Sequence, residues 1–362
     1  MRLDFITDIL VEARTGSQPH PEDSIFDGAA AAKQALQSMQ YVIKNPGSVT
    51  IKWDGFPALI FGRVADGRFT VQDKYMFDAK FFADSPAKWQ EYDLTKKSGK
   101  TRPDLYAKLA NIWKGLEQAV GSSPGFFWGD LLWWDQLKSV NGQFAFKPNV
   151  VEYHIPAKTQ LGQKIARSVG GIVVHQYFAD DNAKPQQWNG QGLNTDGPVV
   201  VLTPNAGITF TLNDPVQLTR AASAAVNQYG NLAESFLAGL DGVARQAIQK
   251  YMNKRVTGQT NQELVDWLQA NVSAKQYKFL IGEEGSGYLY QNEKGVTALF
   301  TIWNAVYTLK ANLAAQLEQQ VQGIQQFVNG HQQGEGFVFN TPTGLVKLVN
   351  RGTFSAALFA KE

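Results

Sequence analysis

The sequence contains no cysteine, and its histidines are four: His20, His154, His175 and His331. The first absence excludes a disulfide framework, a thiolate nucleophile and cysteine-ligated zinc, and it suits a reducing compartment. The second argues against a histidine-based metal centre. Neither sign of charge is in excess. With 34 basic and 32 acidic residues the formal charge is +2, so the totals show no strong field for nucleic acid and leave only a local basic patch as a route to it. No apolar run approaches the roughly 20 residues that cross a bilayer. The first stretch, "MRLDFITDILVEARTG", sets Asp4, Asp8 and Glu12 among apolar residues, which reads as an amphipathic helix to about Glu12 and not as a signal peptide. The expectation is a soluble, cytoplasmic protein.

What is present is a chain of 362 residues with 44% hydrophobic content, enough for one large domain or two ordinary ones. After a polar loop, "GAAAAKQALQSMQYVI" reads as a helix ending at "KNPGS". "VTIKW", "PALIFGRV" and "RFTVQDK" follow, with the β-branched content and Asp-Gly turns of an antiparallel meander. A helical region spans about 85–120 and carries the basic run "TKKSGKTR". Then come apolar strands: "GFFWGDLLWW", "VVEYHIP", "GGIVVHQYF", "GPVVVLTP" and "ITFTL", with "KTQLGQKIARS" helical between them. From 214 to 328 the periodicity is that of glutamine- and alanine-rich helices, "LKANLAAQLEQQVQGIQQFV" among them. Finally "EGFVFNTPTGLVKLVNR" has the form of a hairpin. Strand-rich parts flanking a helical block predict an α+β domain, 1–213 with 329–362, interrupted by a helical insertion at 214–328.

Four of the apolar, strand-like segments carry ionisable residues, three of them beside glycine: Lys52 and Asp54 in "KWDG", Asp130 in "FFWGDL", Glu335 in "GEGFV" and Lys347 in "GLVKLV". Bringing a charge into a core is costly unless it meets another charge or a charged ligand, so these residues are expected to converge. Such a set suits phosphoryl chemistry. A lysine attacking phosphorus must lose its proton, carboxylates hold a divalent cation through oxygen, and a second lysine neutralises the phosphate.

"KWDG" resembles the K-x-D-G motif of the covalent nucleotidyltransferases, the superfamily of ATP-dependent DNA ligases, RNA ligases and capping enzymes. "FFWGDL", "GGIVVHQYF", "EGFVF" and "LVKLV" are similar to the family's later motifs and stand in its order. The resemblance covers roughly 20–210 and 330–352, and the chain also resembles uncharacterised phage proteins with an "HPED"-like segment. It implies an antiparallel nucleotidyltransferase (ATP-grasp-like ligase adenylation) fold and an ATP-dependent polynucleotide ligase working through lysyl-AMP with Mg²⁺ or Mn²⁺. Lys52 would be the nucleophile. Asp54, Gly55, Asp130 and Lys347 would serve the nucleotide, with His175 or Tyr177 stacking on the base. Asp130 and Glu335 would hold the metal. The Glu283–Glu284 pair is a rival to Glu335. The family often has an arginine where this chain has Pro57, so Arg63 or Lys74 would supply that cation. Its last motif usually has two lysines, here Lys347 alone with Arg351 further on.

About fifteen residues follow Lys347, so the expectation is a phage-type ligase without a C-terminal OB domain, whose gripping work falls to the insertion or the N-terminal segment. "HPED" is read either as a helix cap or as part of a lid over the nucleotide. Lys96, Lys97, Lys100 and Arg102 are the candidates for phosphate-backbone contact. The expected partner is nucleic acid with 5′-phosphate and 3′-hydroxyl ends, as DNA, RNA or hybrid, in the host cytoplasm if the protein is viral. An RNA-repair ligase, and a non-catalytic nucleic-acid-binding or viral structural relative, are the alternatives.

Overall fold

The computed structural model describes residues 20–97, 99, 101–204, 210–212, 215–321, 323–332, 334–342, 344–349 and 351. The helix expected up to Glu12 and the lysine at 100 lie outside them; residues 210–212, the described part of "ITFTL", form no strand.

In chain order the helices are α1 (Ala29–Lys44), α2 (Lys74–Asp78), α3 (Pro86–Tyr92), α4 (Pro103–Val120), α5 (Gln160–Ile165), α6 (Pro215–Ala238), α7 (Gly242–Val256), α8 (Leu264–Asn271), α9 (Ala274–Ile281), α10 (Tyr288–Gln291) and α11 (Glu293–Glu318). The strands are β1 (Val49–Ile51), β2 (Ala58–Arg63), β3 (Phe69–Gln72), β4 (Gly125–Trp133), β5 (Gln143–Phe146), β6 (Glu152–Pro156), β7 (Gly170–Phe178), β8 (Gln186–Gln187), β9 (Val199–Leu202), β10 (Gln325–Val328), β11 (His331–Gln332), β12 (Phe337–Thr341) and β13 (Gly344–Leu348). The architecture is mixed α+β with largely antiparallel sheets, as the strand and helix signals predict. No helix among the described residues is long and apolar enough to cross a membrane.

The chain forms two compact units, residues 1–50, 209–320 and 336–362 in one, 51–208 and 321–335 in the other. These boundaries differ from those read off composition. The helical block shares its unit with α1 and the β12–β13 hairpin, and residues 321–335 return to the sheets. The segment "GIQQFV", read as helix, is not one. α11 stops at Glu318, and β10 pairs antiparallel with β6, Gln325 opposite His154 and Phe327 opposite Glu152. Tertiary strand pairing overrides the local glutamine-rich helical pattern.

In the helical unit α11 buries Ile302, Leu309 and Leu313, an apolar stripe at helical spacing. In "HPED", His20 stands at the N-cap position without a side-chain cap hydrogen bond. Residues Pro21–Asp27 make a 3₁₀ helix with Glu22 and Asp23 buried. Glu22 pairs with Lys310 of α11, both side chains inaccessible to solvent. Asp23 accepts from Trp303 Nε1 at 3.0 Å and from Arg351 Nη2 at 2.6 Å. Burial pushes the Lys310 ammonium below its ordinary pKa, opposed by the charge of Glu22. In the same unit β12 and β13 form the expected hairpin, with Val338 opposite Lys347. Gly336 sits at φ +111°, and a Cβ there would come within 2.2 Å of the Leu348 carbonyl oxygen, so the entry to β12 requires glycine.

In the sheet unit, six strands form one sheet in the order β3-β2-β4-β7-β8, with β9 parallel to β7, and a second sheet runs β11-β10-β6-β5. α4 starts with Pro103 at its first turn, presents Leu105, Leu109, Ile112 and Leu116 along one face, and ends at Gly121 with φ +53°. That face packs on Leu59, Phe61, Phe127, Leu131, Ile172 and Val174 of the sheet. Side chains alternate along a strand, so Phe126, Trp128 and Asp130 of β4 project from the opposite face. Phe126 and Trp128 join a smaller cluster there with Ile60, Phe77 and Phe178. This second face positions the candidate site.

Candidate functional site

Within "IKWDG" the burial alternates: Ile51 and Trp53 are 1% and 2% exposed, whereas the Lys52 side chain retains 25% exposure. Trp53 packs against Tyr153 with ring centroids 5.0 Å apart and the rings tilted by 32°, anchoring the segment in the core. Lys52 is thereby held at the edge and pairs with Glu335, whose side chain is 8% exposed. These residues are 283 positions apart in sequence. They meet because Lys52 follows β1 and Glu335 precedes β12, neighbouring strands of one sheet. The second carboxylate oxygen of Glu335, Oε2, is buried and has no hydrogen-bond partner among the described residues.

Asp54 is buried, and its carboxylate is fully engaged. Oδ1 accepts from Asn149 Nδ2 at 2.9 Å; Oδ2 accepts from the backbone N–H groups of Val150 at 2.6 Å and Val151 at 2.9 Å. Its own N–H donates to the Tyr153 hydroxyl at 2.6 Å. Burial, with the charges of Asp54 and Asp130 nearby, pushes the Tyr153 hydroxyl well above the ordinary tyrosine pKa, which keeps it neutral. Asp54 acts on the site by fixing the 149–151 loop against "KWDG". Gly55 provides close approach: a Cβ there would lie 2.5 Å from Asp130 Cβ and 2.9 Å from the Leu131 carbonyl oxygen. The next residue, Phe56, is 43% exposed beside it.

Asp130 lies opposite Ala58 of β2 and Val173 of β7. Between the pairs Trp128 with Gln176 and Gly129 with Val174, β7 contains one extra residue, His175. A bulge re-aims the side chain it carries. Here His175 turns to the Asp130 face, and its Nε2 donates to Asp130 Oδ2 at 2.9 Å. Tyr177 faces the other way, its ring 5.2 Å from Phe127 within the α4-side core. Of the two stacking candidates, His175 is the one beside Asp130.

The remaining sequence candidates stand on other elements. Arg63 closes the far end of β2, where Nη1 donates to the Gly67 carbonyl at 2.7 Å and Nη2 lies 3.8 Å from Glu117, about 17 Å along the strand from Ala58. Lys74 opens α2 and is half-buried. Lys347 is half-buried on β13, opposite Val338 of β12, whose carbonyl accepts from Thr50 Oγ1 of β1 at 2.7 Å. Lys96 is exposed on a short π-helical turn, Asp93–Lys97, and of Lys97 only the backbone is described. Arg102 pairs with the buried Asp93, which also accepts from the Tyr106 hydroxyl at 2.8 Å, so its guanidinium pins α4. Glu283, the rival to Glu335, is exposed just after α9 and pairs with Lys278 at 2.7 Å.

No group of three or more His, Asp or Glu side chains placed to hold a metal occurs among the described residues. A magnesium ion needs few protein ligands, because it is commonly held by one or two carboxylates with water and substrate phosphates completing its shell. Glu335, with its unpartnered Oε2, fits that requirement.

The sheet unit thus holds a lysine paired with a buried glutamate and, on β4 and β7, an aspartate–histidine pair. The profile of a family of unknown function, DUF6267, matches residues 19–362, and the chain belongs to that family. Neither a curated protein nor a solved structure matches it. Sequence reasoning missed Trp128, Tyr153, Asn149 and Gln176. Trp128 was accessible to it: two residues before Asp130 on a strand, it must share Asp130's face.

Proposed function

We propose that this protein is an ATP-dependent polynucleotide ligase that forms a lysyl-AMP intermediate on Lys52. The observation that carries the reading is the pairing of Lys52 with Glu335. Two motifs nominated separately by the sequence, "KWDG" and "EGFV", supply side chains in direct contact although 283 residues separate them. The Asp130–His175 pair and Gly55 add a polar wall and a close backbone approach to the same region.

Lys52 held as an ammonium against a carboxylate has no lone pair with which to attack. In this reading the proton passes to Glu335 Oε1, the oxygen that faces Lys52 Nζ. Attack then forms the Nζ–Pα bond and breaks the bond from Pα to the bridging oxygen, releasing pyrophosphate. AMP passes next to a 5′-phosphate, and a 3′-hydroxyl displaces it to close the phosphodiester. Bound magnesium would supply charge neutralisation on the phosphates, with Glu335 and Asp130 as its protein ligands. Asp54 and Tyr153 keep the "KWDG" backbone in place throughout.

Label transfer tests this reading. Protein charged with α-³²P-ATP is expected to pass label to 5′-phosphorylated nicked DNA, RNA or hybrid duplex and then to seal it. Charged protein that transfers label to none of the three contradicts the ligase assignment.

A further inference from the structure

The strand register places Gln72, Ile60, Trp128, Gln176 and Gln187 on one rung across the sheet. Trp128 is half-buried, its ring stacked 6.2 Å from that of Phe178. Directly opposite it, Gln176 is half-buried, and its amide oxygen is buried without a hydrogen-bond partner among the described residues. An unsatisfied buried amide oxygen costs about 1–3 kcal/mol, so it marks a position where a donor is missing. One step further along β4 on the same face stand Asp130 and the bulged His175.

This juxtaposition is a flat aromatic surface flanked by an amide on one side, with a carboxylate–imidazole pair about 7 Å along the strand. Gln72 also has an unpartnered amide oxygen, but it is fully buried, gives its Nε2 to Thr70 at 3.0 Å and stands three strands from Gln176, about 14 Å away. The two glutamines cannot read one small ring system, and Gln176 is the one beside the half-buried aromatic and the polar pair.

We propose that Gln176 selects the nucleobase of the nucleotide, with Trp128 beneath the ring. The proposal rests on the nucleotidyltransferase reading above and names the residue that discriminates within it. An amide offers one acceptor and one donor, which match the adenine amino group and its neighbouring ring nitrogen bidentately. A carboxylate offers acceptors alone. It matches the two adjacent donors of guanine, the ring N–H and the 2-amino group, and satisfies only half of the adenine edge.

The test is calorimetric binding of α,β-methylene-ATP and α,β-methylene-GTP to full-length wild-type, Gln176→Glu and Gln176→Met proteins. Gln176→Glu is expected to shift the ratio of the two dissociation constants toward GTP by at least about tenfold. Gln176→Met, which keeps the volume without the hydrogen bonds, is expected to weaken the ATP analogue by about tenfold and to flatten the preference. A wild type that binds the ATP analogue, with ratios within twofold of it in both variants, overturns the role of Gln176 and leaves the nucleotidyltransferase reading standing. A wild type that binds neither analogue overturns both.

Discussion

Replacing Asp54 separates a positioning role from a direct one. Its carboxylate accepts two buried backbone N–H groups and the Asn149 amide. In Asp54→Ala the Val150 and Val151 N–H groups lose their acceptor in a dry environment. At about 1–3 kcal/mol for each unsatisfied group, the expected loss is about 4 kcal/mol. Asp54→Asn keeps an acceptor for both N–H groups, and the Asn149 amide can turn to accept from the new NH₂. What is lost is the charge assistance, about 1 kcal/mol for each of the two backbone bonds, or about 2 kcal/mol in all. Urea denaturation with unchanged slope measures both values. Incubation with ATP at a temperature where each variant is folded is expected to give Asp54→Asn the same AMP adduct yield as wild type. An Asp54→Ala cost under about 1 kcal/mol, or an Asn variant that is stable yet takes up no AMP, refutes the argument that Asp54 works through the loop.

Three further outcomes follow from buried charge. Lys310→Met leaves Glu22 inaccessible to solvent with Arg351, 3.5 Å away, as its remaining cation among the described residues, and is expected to lower stability by about 3–5 kcal/mol, with the Glu22→Gln/Lys310→Met double variant recovering most of that loss in the same urea assay. Glu318, at the end of α11, has its pKa raised to about 7 by burial. The folded state therefore holds a proton that the unfolded state releases, so this residue's contribution lowers stability as pH rises from about 4.5 to 7. Glu318→Gln is expected to stabilise by roughly 2 kcal/mol at pH 8 and by little at pH 4, read from melts at both pH values. Arg102→Ala strips the buried Asp93 of its cation and is expected to cost about 3 kcal/mol in stability, whereas Lys96→Ala leaves stability within about 0.5 kcal/mol of wild type.

The elements most legible in the sequence were those whose apolar runs are bounded by turn residues. "GFFWGDLLWW", "GGIVVHQYF" and the β12–β13 hairpin are strands as their composition predicts. The meeting of Lys52 and Glu335 was also legible, because a charge in an apolar strand requires a partner. What failed to show was decided by distant contacts. "GIQQFV" carries a helical pattern, and only its pairing with β6 makes it β10. "HPED" reads as a polar loop because the lysine that neutralises Glu22 lies 288 residues away. Strict alternation would put His175 and Tyr177 on one face, and a single extra residue in β7 sends them to opposite faces. Nothing in the composition of the basic run shows that Asp93 folds back onto the Arg102 guanidinium.

The central claim is that Lys52 is a nucleophile toward the α-phosphate of ATP. Intact mass spectrometry of wild-type and Lys52→Ala protein, each checked for prior adenylylation and then incubated with ATP, Mg²⁺ and pyrophosphatase, tests it most directly. The account predicts a gain of one AMP in the wild type and none in the variant, with the adduct mapped to the peptide containing "KWDG". An unmodified wild type, or equal modification of the variant, contradicts it.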